Sequence, residues 1–256
     1  MKPNRLKERM LAQDPTLLNG WLTLGSVAAA ELMSRQAWDA LTIDMQHGLA
    51  DFDTALNMLR AISSTEVTPM VRVPWLDPAL IMRVLDAGAY GVICPMINTR
   101  EQCEEFVACC RYAPQGARSF GPTRAPLYAG DDYWKHANDT VLTWAMVETR
   151  QAVEAVEDIV SVPGLDGVYI GPSDLSLTLG LDPITGLDHP DLLAAVDRIH
   201  AAAQRAGKFT VMHCNPIDYA GRMQARRFSL RTVSNDTRLL AMASQDLLRQ
   251  LKPAKT

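Results

Sequence analysis

The sequence is short of lysine, and no lysine ends a strand-like run. The six are Lys2, Lys7, Lys135, Lys208, Lys252 and Lys255. Five lie near the termini or in a loop, and Lys208 begins an apolar run instead of closing one. Chemistry through a lysine Schiff base therefore lacks its residue. No G-x-G-x-x-G follows the first strand-like run, which removes the dinucleotide-binding doubly wound sheet. No apolar stretch approaches the ~20 residues a membrane span needs. Met1 to Arg9 carry charge without an apolar stretch, so no secretory signal is expected. The net charge of −4 offers no basic field for nucleic acid or an anionic membrane. Cys94, Cys103, Cys109, Cys110 and Cys214 are odd in number, and their spacing fits neither zinc nor a disulfide framework. Reduced, buried thiols in a cytoplasmic protein are expected.

What is present is a core and a rhythm. Of 256 residues, 48% are hydrophobic, enough to fill one large α/β domain spanning residues 1–256. Eight short apolar runs read as strands: 21–25, 40–45, 68–73, 91–96, 143–148, 167–171, 209–213 and 228–234. Most are continuous instead of alternating, as strands covered on both faces should be. Helical patterns fall between them, over 51–60, 77–88, 150–161, 190–206 and 236–251, with an extra N-terminal helix over 4–13. Asp77 with Pro78 makes a helix start, and Gly88 a stop. The order predicts a (β/α)8 barrel of the TIM type. Residues 112–142 read as an elaborated loop with a short helix at 131–138, and 252–256 as a frayed tail.

In such barrels the chemistry sits where strands end. Two runs finish on acids: Thr143 to Glu148, and Gly167 to Gly171 followed by Pro172-Ser173-Asp174. Neighbouring strands lie ~4.8 Å apart, so Glu148 and Asp174 could share one cation. Two carboxylates suit Mg²⁺ or Mn²⁺, whereas zinc would want His or Cys beside them. A bare salt bridge of both acids to Arg72 is the competing reading. Arg72 closes one strand and Asp44-Met45-Gln46-His47-Gly48 another. Asp44 alone could cap a turn, and Arg72 alone could be half of a buried ion pair. The loops after the last two strands lack the glycine-rich phosphate nest, which argues against a sugar phosphate.

Several segments in combination resemble the HpcH/HpaI family of metal-dependent pyruvate aldolases, relatives of citrate lyase β subunits. They are Ile43 to Gly48, Val71-Arg72 with Asp77-Pro78, Leu85 to Ala89, Val92 to Met96, Arg111 to Arg118, Val147 to Arg150, Gly167 to Ser176, and Asn235 to Thr237. Together they span nearly the whole chain. The resemblance implies a barrel whose last helix swaps between subunits of a hexamer, a trimer of dimers. It implies Glu148 and Asp174 as ligands of a divalent cation (Mg²⁺ or Mn²⁺, with Co²⁺ a further candidate). Arg72 would bind the keto acid and stabilise its enolate. His47 would serve in acid–base chemistry through a metal-bound water, with Asp86 orienting its ring. Backbone N–H groups near Gly171 and Ser173 would receive the pyruvate carboxylate. Gln46 stands where many members carry glutamate, and Arg227 where a glycine often precedes the last strand. The 112–142 loop is shorter than in some members, which bears on acceptor specificity.

The reaction expected is reversible cleavage of a 4-hydroxy-2-oxo acid, 4-hydroxy-2-oxoheptanedioate-like, to pyruvate and an aldehyde. An imidazole suits the proton transfer because its type titrates near neutrality. One alternative is an acyl-CoA lyase of the citrate lyase β type, with Arg118 and Arg124 on the CoA path. Another is a non-catalytic barrel that binds a keto acid. Trp21, Trp38 and Trp144 are expected in packing, and Trp75 beside Arg72 as a pocket wall. His136, His189 and His200 are expected at the surface or at helix caps, and His213 near the mouth without a role.

Overall fold

A computed structural model describes residues 1–214 and 217–252. The elements in chain order are α1 (Arg5–Leu11), β1 (Leu18–Leu22), α2 (Val27–Ser34), β2 (Ala40–Asp44), α3 (Phe52–Ile62), β3 (Thr68–Arg72), α4 (Pro78–Asp86) and β4 (Gly91–Cys94). Then come α5 (Arg100–Cys110), α6 (Arg124–Ala129), α7 (Tyr133–Thr140), β5 (Leu142–Val147), α8 (Arg150–Glu154), α9 (Val156–Val160), β6 (Gly167–Ile170) and α10 (Pro172–Thr178). A 3-10 turn at Gly186–Asp188, α11 (Pro190–Arg205), β7 (Phe209–Cys214), α12 (Ile217–Ala225), β8 (Leu230–Asn235) and α13 (Asp236–Leu251) complete the chain. All eight strands are parallel and close in sequence order, so the (β/α)8 barrel read from the sequence is the fold.

Two cores explain the continuous apolar strands. One set of alternate residues, including Ile43, Val71, Val92, Val147, Ile170 and Met212, faces outward under the helices. The other, including Met70, Ile93, Trp144, Tyr169 and Val211, fills the barrel. Each face contributes its burial, roughly 1.5–3 kcal/mol per large apolar side chain. The floor is closed by α1, whose cap residue Asn4 donates from Nδ2 to Tyr90 O (3.1 Å) and Thr140 O (2.9 Å). Lys7 adds an ion pair to Asp166 at 2.7 Å.

Strand positions agree with the sequence reading within a residue or two, except at β1. β1 starts at Leu18, not 21, because Asn19 belongs to the strand. It lies inside the barrel, paired with Thr42 and Thr232. β8 begins at Leu230, since Arg227 occupies the left-handed region at φ 63° and turns the chain into the strand. That conformation is why a glycine suits this position. The 112–142 segment holds two helices, α6 and α7, and the 150–161 helix is two short ones broken at Ala155. The tail expected at 252–256 falls, beyond Lys252, outside the described residues. Among the described residues, no helix is long and apolar enough to cross a membrane.

A left-handed non-glycine residue costs roughly 1–2 kcal/mol, partly offset by glycine's greater freedom when unfolded. Arg227→Gly is therefore expected to raise stability by up to ~1 kcal/mol. A denaturation midpoint that does not rise contradicts this account of Arg227.

Candidate active site at the barrel mouth

Strand alternation aims the site. Met70, Met146, Tyr169 and Val211 face into the barrel. The residue two further along each strand must face inward too, one layer nearer the mouth. Those residues are Arg72, Glu148, Gly171 and His213. Asp44 joins them by the same count from Thr42, whose hydroxyl bonds Asn19 across the interior.

Asp44 and Arg72 sit side by side in register on β2 and β3. Arg72 donates from Nε to Asp44 Oδ1 at 2.9 Å and from Nη2 to Oδ2 at 2.6 Å. Trp21 Nε1 donates to the same Oδ2 at 3.1 Å, and its ring lies 4.9 Å from the guanidinium carbon. The backbone N–H groups of Gln46 and His47 donate to Oδ1 at 3.0 and 3.3 Å. Burial opposes ionisation of Asp44, but the hydrogen bonds and charge of Arg72 outweigh it and hold the carboxyl below its usual range. Asp44 is thus both a turn cap and half of a buried ion pair. The bland readings of Asp44 and Arg72 hold together, and they pre-set the guanidinium.

Glu148 is the opposite case. It is 2% exposed and has one neutral donor, the Met96 N–H at 2.8 Å from Oε1. Met96 reaches it because the chain leaves β4 through Pro95 and takes φ 56°. Burial pushes the Glu148 carboxyl up to about 7; Met96 and Arg72 pull down, while the charge of Asp174 pushes up. The ion pair of Arg72 goes to Asp44, so the simple salt bridge from Arg72 to both acids is not formed. Gly171 makes the close approach possible: a Cβ there would lie 2.6 Å from Glu148 Oε2 and 2.8 Å from Met146 Cε. Asp174, half-buried, stands in the first turn of α10, with Ser173 exposed beside it.

Among the described residues, no three His, Cys, Asp or Glu side chains form a metal-holding group. Two carboxylates remain, one of them buried without a cation. That donor set fits a hard divalent cation that completes its shell with water and substrate, and it does not fit zinc.

Other expected residues fall differently. His47 lies exposed in the bend after β2, and its ring has no hydrogen-bond partner among the described residues. Within one copy of the chain, Asp86 does not reach it. It ends α4, which descends from the mouth, so Asp86 lies near the floor, where Arg118 Nη2 donates to it at 2.7 Å. The 112–142 segment joins the foot of α5 to the start of β5 and so also lies at the floor, where in one copy of the chain it cannot shape the acceptor pocket. Lys208 precedes β7 and donates to Leu165 O at 2.8 Å, far from the mouth, as expected. Trp75 is exposed and Trp144 fully buried. His200 is not at the surface: it is buried, stacked on Phe228 and bonded to Thr210 and Arg226. His189 caps α11 as expected. Asp44 as the partner of Arg72 escapes a reading by strand ends, whereas His213 is read near the mouth but without a role. Counting alternate residues forward from Thr42 and Val211 is the signal that brings both into the inward layer.

A parallel eight-stranded barrel with two acids and a fixed arginine at its carboxyl mouth is an architecture compatible with carbon–carbon lyases, and the family match makes that the class. The chain belongs to the HpcH/HpaI aldolase/citrate lyase family, which matches residues 19–243. Within it, the chain is 39% identical over 231 residues to a hydroxypyruvate/pyruvate aldolase of Rhizorhabdus wittichii, covering 90% of this chain and 92% of that one. It is 31% identical over 208 residues to a 5-keto-4-deoxy-D-glucarate aldolase of Escherichia coli, covering 80% of each. The solved structure of a family member from Burkholderia cenocepacia superposes with a TM-score of 0.89 at 33% identity, covering 97% of this chain and 99% of that one.

The raised Glu148 carboxyl sets a pH dependence. The folded protein holds this proton more tightly than the unfolded chain, so the contribution of Glu148 to stability is full below about 4.5 and is lost as pH rises to about 7. The cation-free protein is expected to lose about 3 kcal/mol from this group across that window. Glu148→Gln should flatten this part of the profile. A wild-type stability curve that the variant reproduces over pH 4.5–7 contradicts the assignment.

Proposed function

We propose that this chain is a divalent-cation-dependent aldolase. It reversibly cleaves a 4-hydroxy-2-oxo acid, of the 4-hydroxy-2-oxoheptanedioate kind, to pyruvate and an aldehyde. The observation that carries this is Glu148, a buried acid beside Asp174, without a cation partner, in the same layer as Arg72. Glu148 and Asp174 would hold the cation, Mg²⁺ or Mn²⁺, with Co²⁺ as a further candidate. Once bound, the cation supplies positive charge to the carboxylate and 2-oxo oxygens of the substrate.

The rest is done by the chain. Asp44 fixes Arg72 through Nε and Nη2, while Nη1 meets only Met146 Sδ, at 4.0 Å. That leaves one N–H edge for the oxygen on which charge develops, placed before the reaction begins. Backbone N–H groups near Gly171 and Ser173, at the first turn of α10, would receive the substrate carboxylate, although the Gly171 N–H itself donates to Val147 O at 3.4 Å. His47 draws the proton from the 4-hydroxyl. The C3–C4 bond breaks as C4–O becomes the aldehyde carbonyl, its electron pair forms the enolate, and the proton taken from the 4-hydroxyl is returned to C3 to give pyruvate. The names of the similar proteins, hydroxypyruvate/pyruvate aldolase and 5-keto-4-deoxy-D-glucarate aldolase, support a keto-acid donor.

The acyl-CoA alternative loses its residues. Arg118 is bound to Asp86 and Tyr133, and Arg124 to Ala87 O and Ser63, all at the floor. For α13, only Asp236 is buried, and Leu240, Leu247 and Leu251 are open. This supports a helix swapped onto a neighbouring copy in a hexamer.

With pyruvate, an aldehyde and Mg²⁺ or Mn²⁺, aldol formation is expected, and EDTA should abolish it. Undiminished product after complete cation removal excludes the mechanism. Arg72→Ala should lower kcat/KM by about 10²–10³, as for loss of a fixed donor to developing charge. Full activity in that variant removes Arg72 from the site. Tight pyruvate binding without α-proton exchange would mark a non-catalytic keto-acid-binding barrel instead.

A further inference from the structure

The Glu148 carboxylate is held from one side only, by the loop between β4 and α5. The ladder between β4 and β5 runs as far as Cys94, which is in register with Ala145. It resumes where the Ile97 N–H donates to Met146 O at 3.3 Å. Pro95 and Met96 bulge out between these points, and a bulge re-aims the groups it carries. Met96 takes φ 56°, a left-handed backbone that a non-glycine residue adopts only at a cost. In that conformation its N–H reaches Glu148 Oε1 at 2.8 Å.

One side chain pins the bulge. Asn98 Nδ2 donates to Met96 O at 3.0 Å. Asn98 Oδ1 accepts from the hydroxyl of Thr149, the residue that follows Glu148. The Thr149 oxygen caps α8 by accepting from the Ala152 N–H at 3.0 Å, so its own proton is free for Asn98. The two partners fix the amide, because only its nitrogen can donate to Met96 O. The backbone of Asn98 is anchored as well. Its N–H donates to Gln102 Oε1 at 2.7 Å, and Thr99 caps α5 beside it. Asn98 thus ties the loop that carries the Glu148 donor to the turn that leaves Glu148.

This clip divides the carboxylate. Oε1 is committed to Met96. Oε2 takes no hydrogen bond from any described residue, and it lies on the β6 side, 2.6 Å from where a Cβ on Gly171 would stand. Gly171 begins α10, whose first turn carries Asp174. A carboxylate that offers one oxygen suits a small cation with few, well-placed ligands, such as Mg²⁺ or Mn²⁺. Ca²⁺ takes about six to eight oxygens and readily uses both from one carboxylate.

We propose that Asn98 is a positioning residue for the cation. By pinning Met96 and Thr149 it presents Glu148 through Oε2 alone, and so favours Mg²⁺ or Mn²⁺ over Ca²⁺. This rests on the reading of Glu148 and Asp174 as the cation ligands.

The test titrates the whole protein with Mn²⁺, follows free Mn²⁺ by electron paramagnetic resonance, and measures Ca²⁺ by competition. Asn98→Ala should weaken Mn²⁺ binding by about tenfold or more, as for loss of a group that orients a ligand. Ca²⁺ binding should change by less than about threefold, so the preference narrows. Met96→Gly removes the cost of the left-handed backbone, and the loop then keeps its shape with less help. In that background Asn98→Ala should cost Mn²⁺ affinity less than about threefold. If Asn98→Ala does not fold, Thr149→Val and Thr149→Ser carry the comparison, and only valine, without the hydroxyl, should weaken Mn²⁺. A melting temperature that falls while Mn²⁺ affinity and the Mn²⁺/Ca²⁺ ratio stay unmoved makes the clip purely structural and overturns the proposal. So does an equal loss of Mn²⁺ affinity in both backgrounds. A wild type that binds no Mn²⁺, or Glu148→Gln that binds it undiminished, overturns the reading of the ligands and the proposal with it.

Discussion

The bidentate pair of Arg72 and Asp44 is the constraint on which the mouth depends. A guanidinium buried to 7% exposure must be matched by charge. Here the match comes from the neighbouring strand in exact lateral register. Asp44 in turn spends its remaining lone pairs on Trp21 and on the turn that carries His47. One carboxylate thereby fixes an arginine, an aromatic floor and the start of a loop. Because Asp44 neutralises Arg72, Glu148 is left without that partner, and two environments of opposite character stand on one rim.

That contrast follows from geometry more than from residue type. Asp44 and Glu148 are both strand-end acids, almost fully buried. Donors converge on one from a side chain beneath and from the turn above it. The other receives a single N–H and faces a second acid. The same chemistry gives a carboxyl held below its usual range in one place and pushed to about 7 in the other. Divergent carboxylates in one cavity are what separate structural from reactive roles in many sites.

The sequence displayed the architecture because parallel strands buried on both faces leave continuous apolar runs, and eight of these are hard to mistake. It displayed Arg72, Glu148 and Asp174 because a charge closing such a run is conspicuous. It hid what depends on pairing across strands. Asn19 lay outside the first strand-like run, yet Thr42 and Thr232 meet it inside the barrel. Asp86 looked placeable beside His47, but a helix nine residues long carries its end from mouth to floor. Arg227 carried no visible role until its backbone conformation was known. His213 was visible as a strand-end histidine, yet its contact with the Tyr169 hydroxyl on the neighbouring strand is one no local pattern reveals.

The floor location of residues 112–142 separates two kinds of change. A strand of five residues spans ~17 Å, and that length of packed barrel stands between this segment and the mouth. Within one copy, insertions or substitutions there remodel an outer surface while the charges around Arg72 and Glu148 keep their places. The chain thus holds its most irregular segment and its most constrained layer at opposite poles. Variation in the first is insulated from the second, and a change in assembly need not be a change in chemistry.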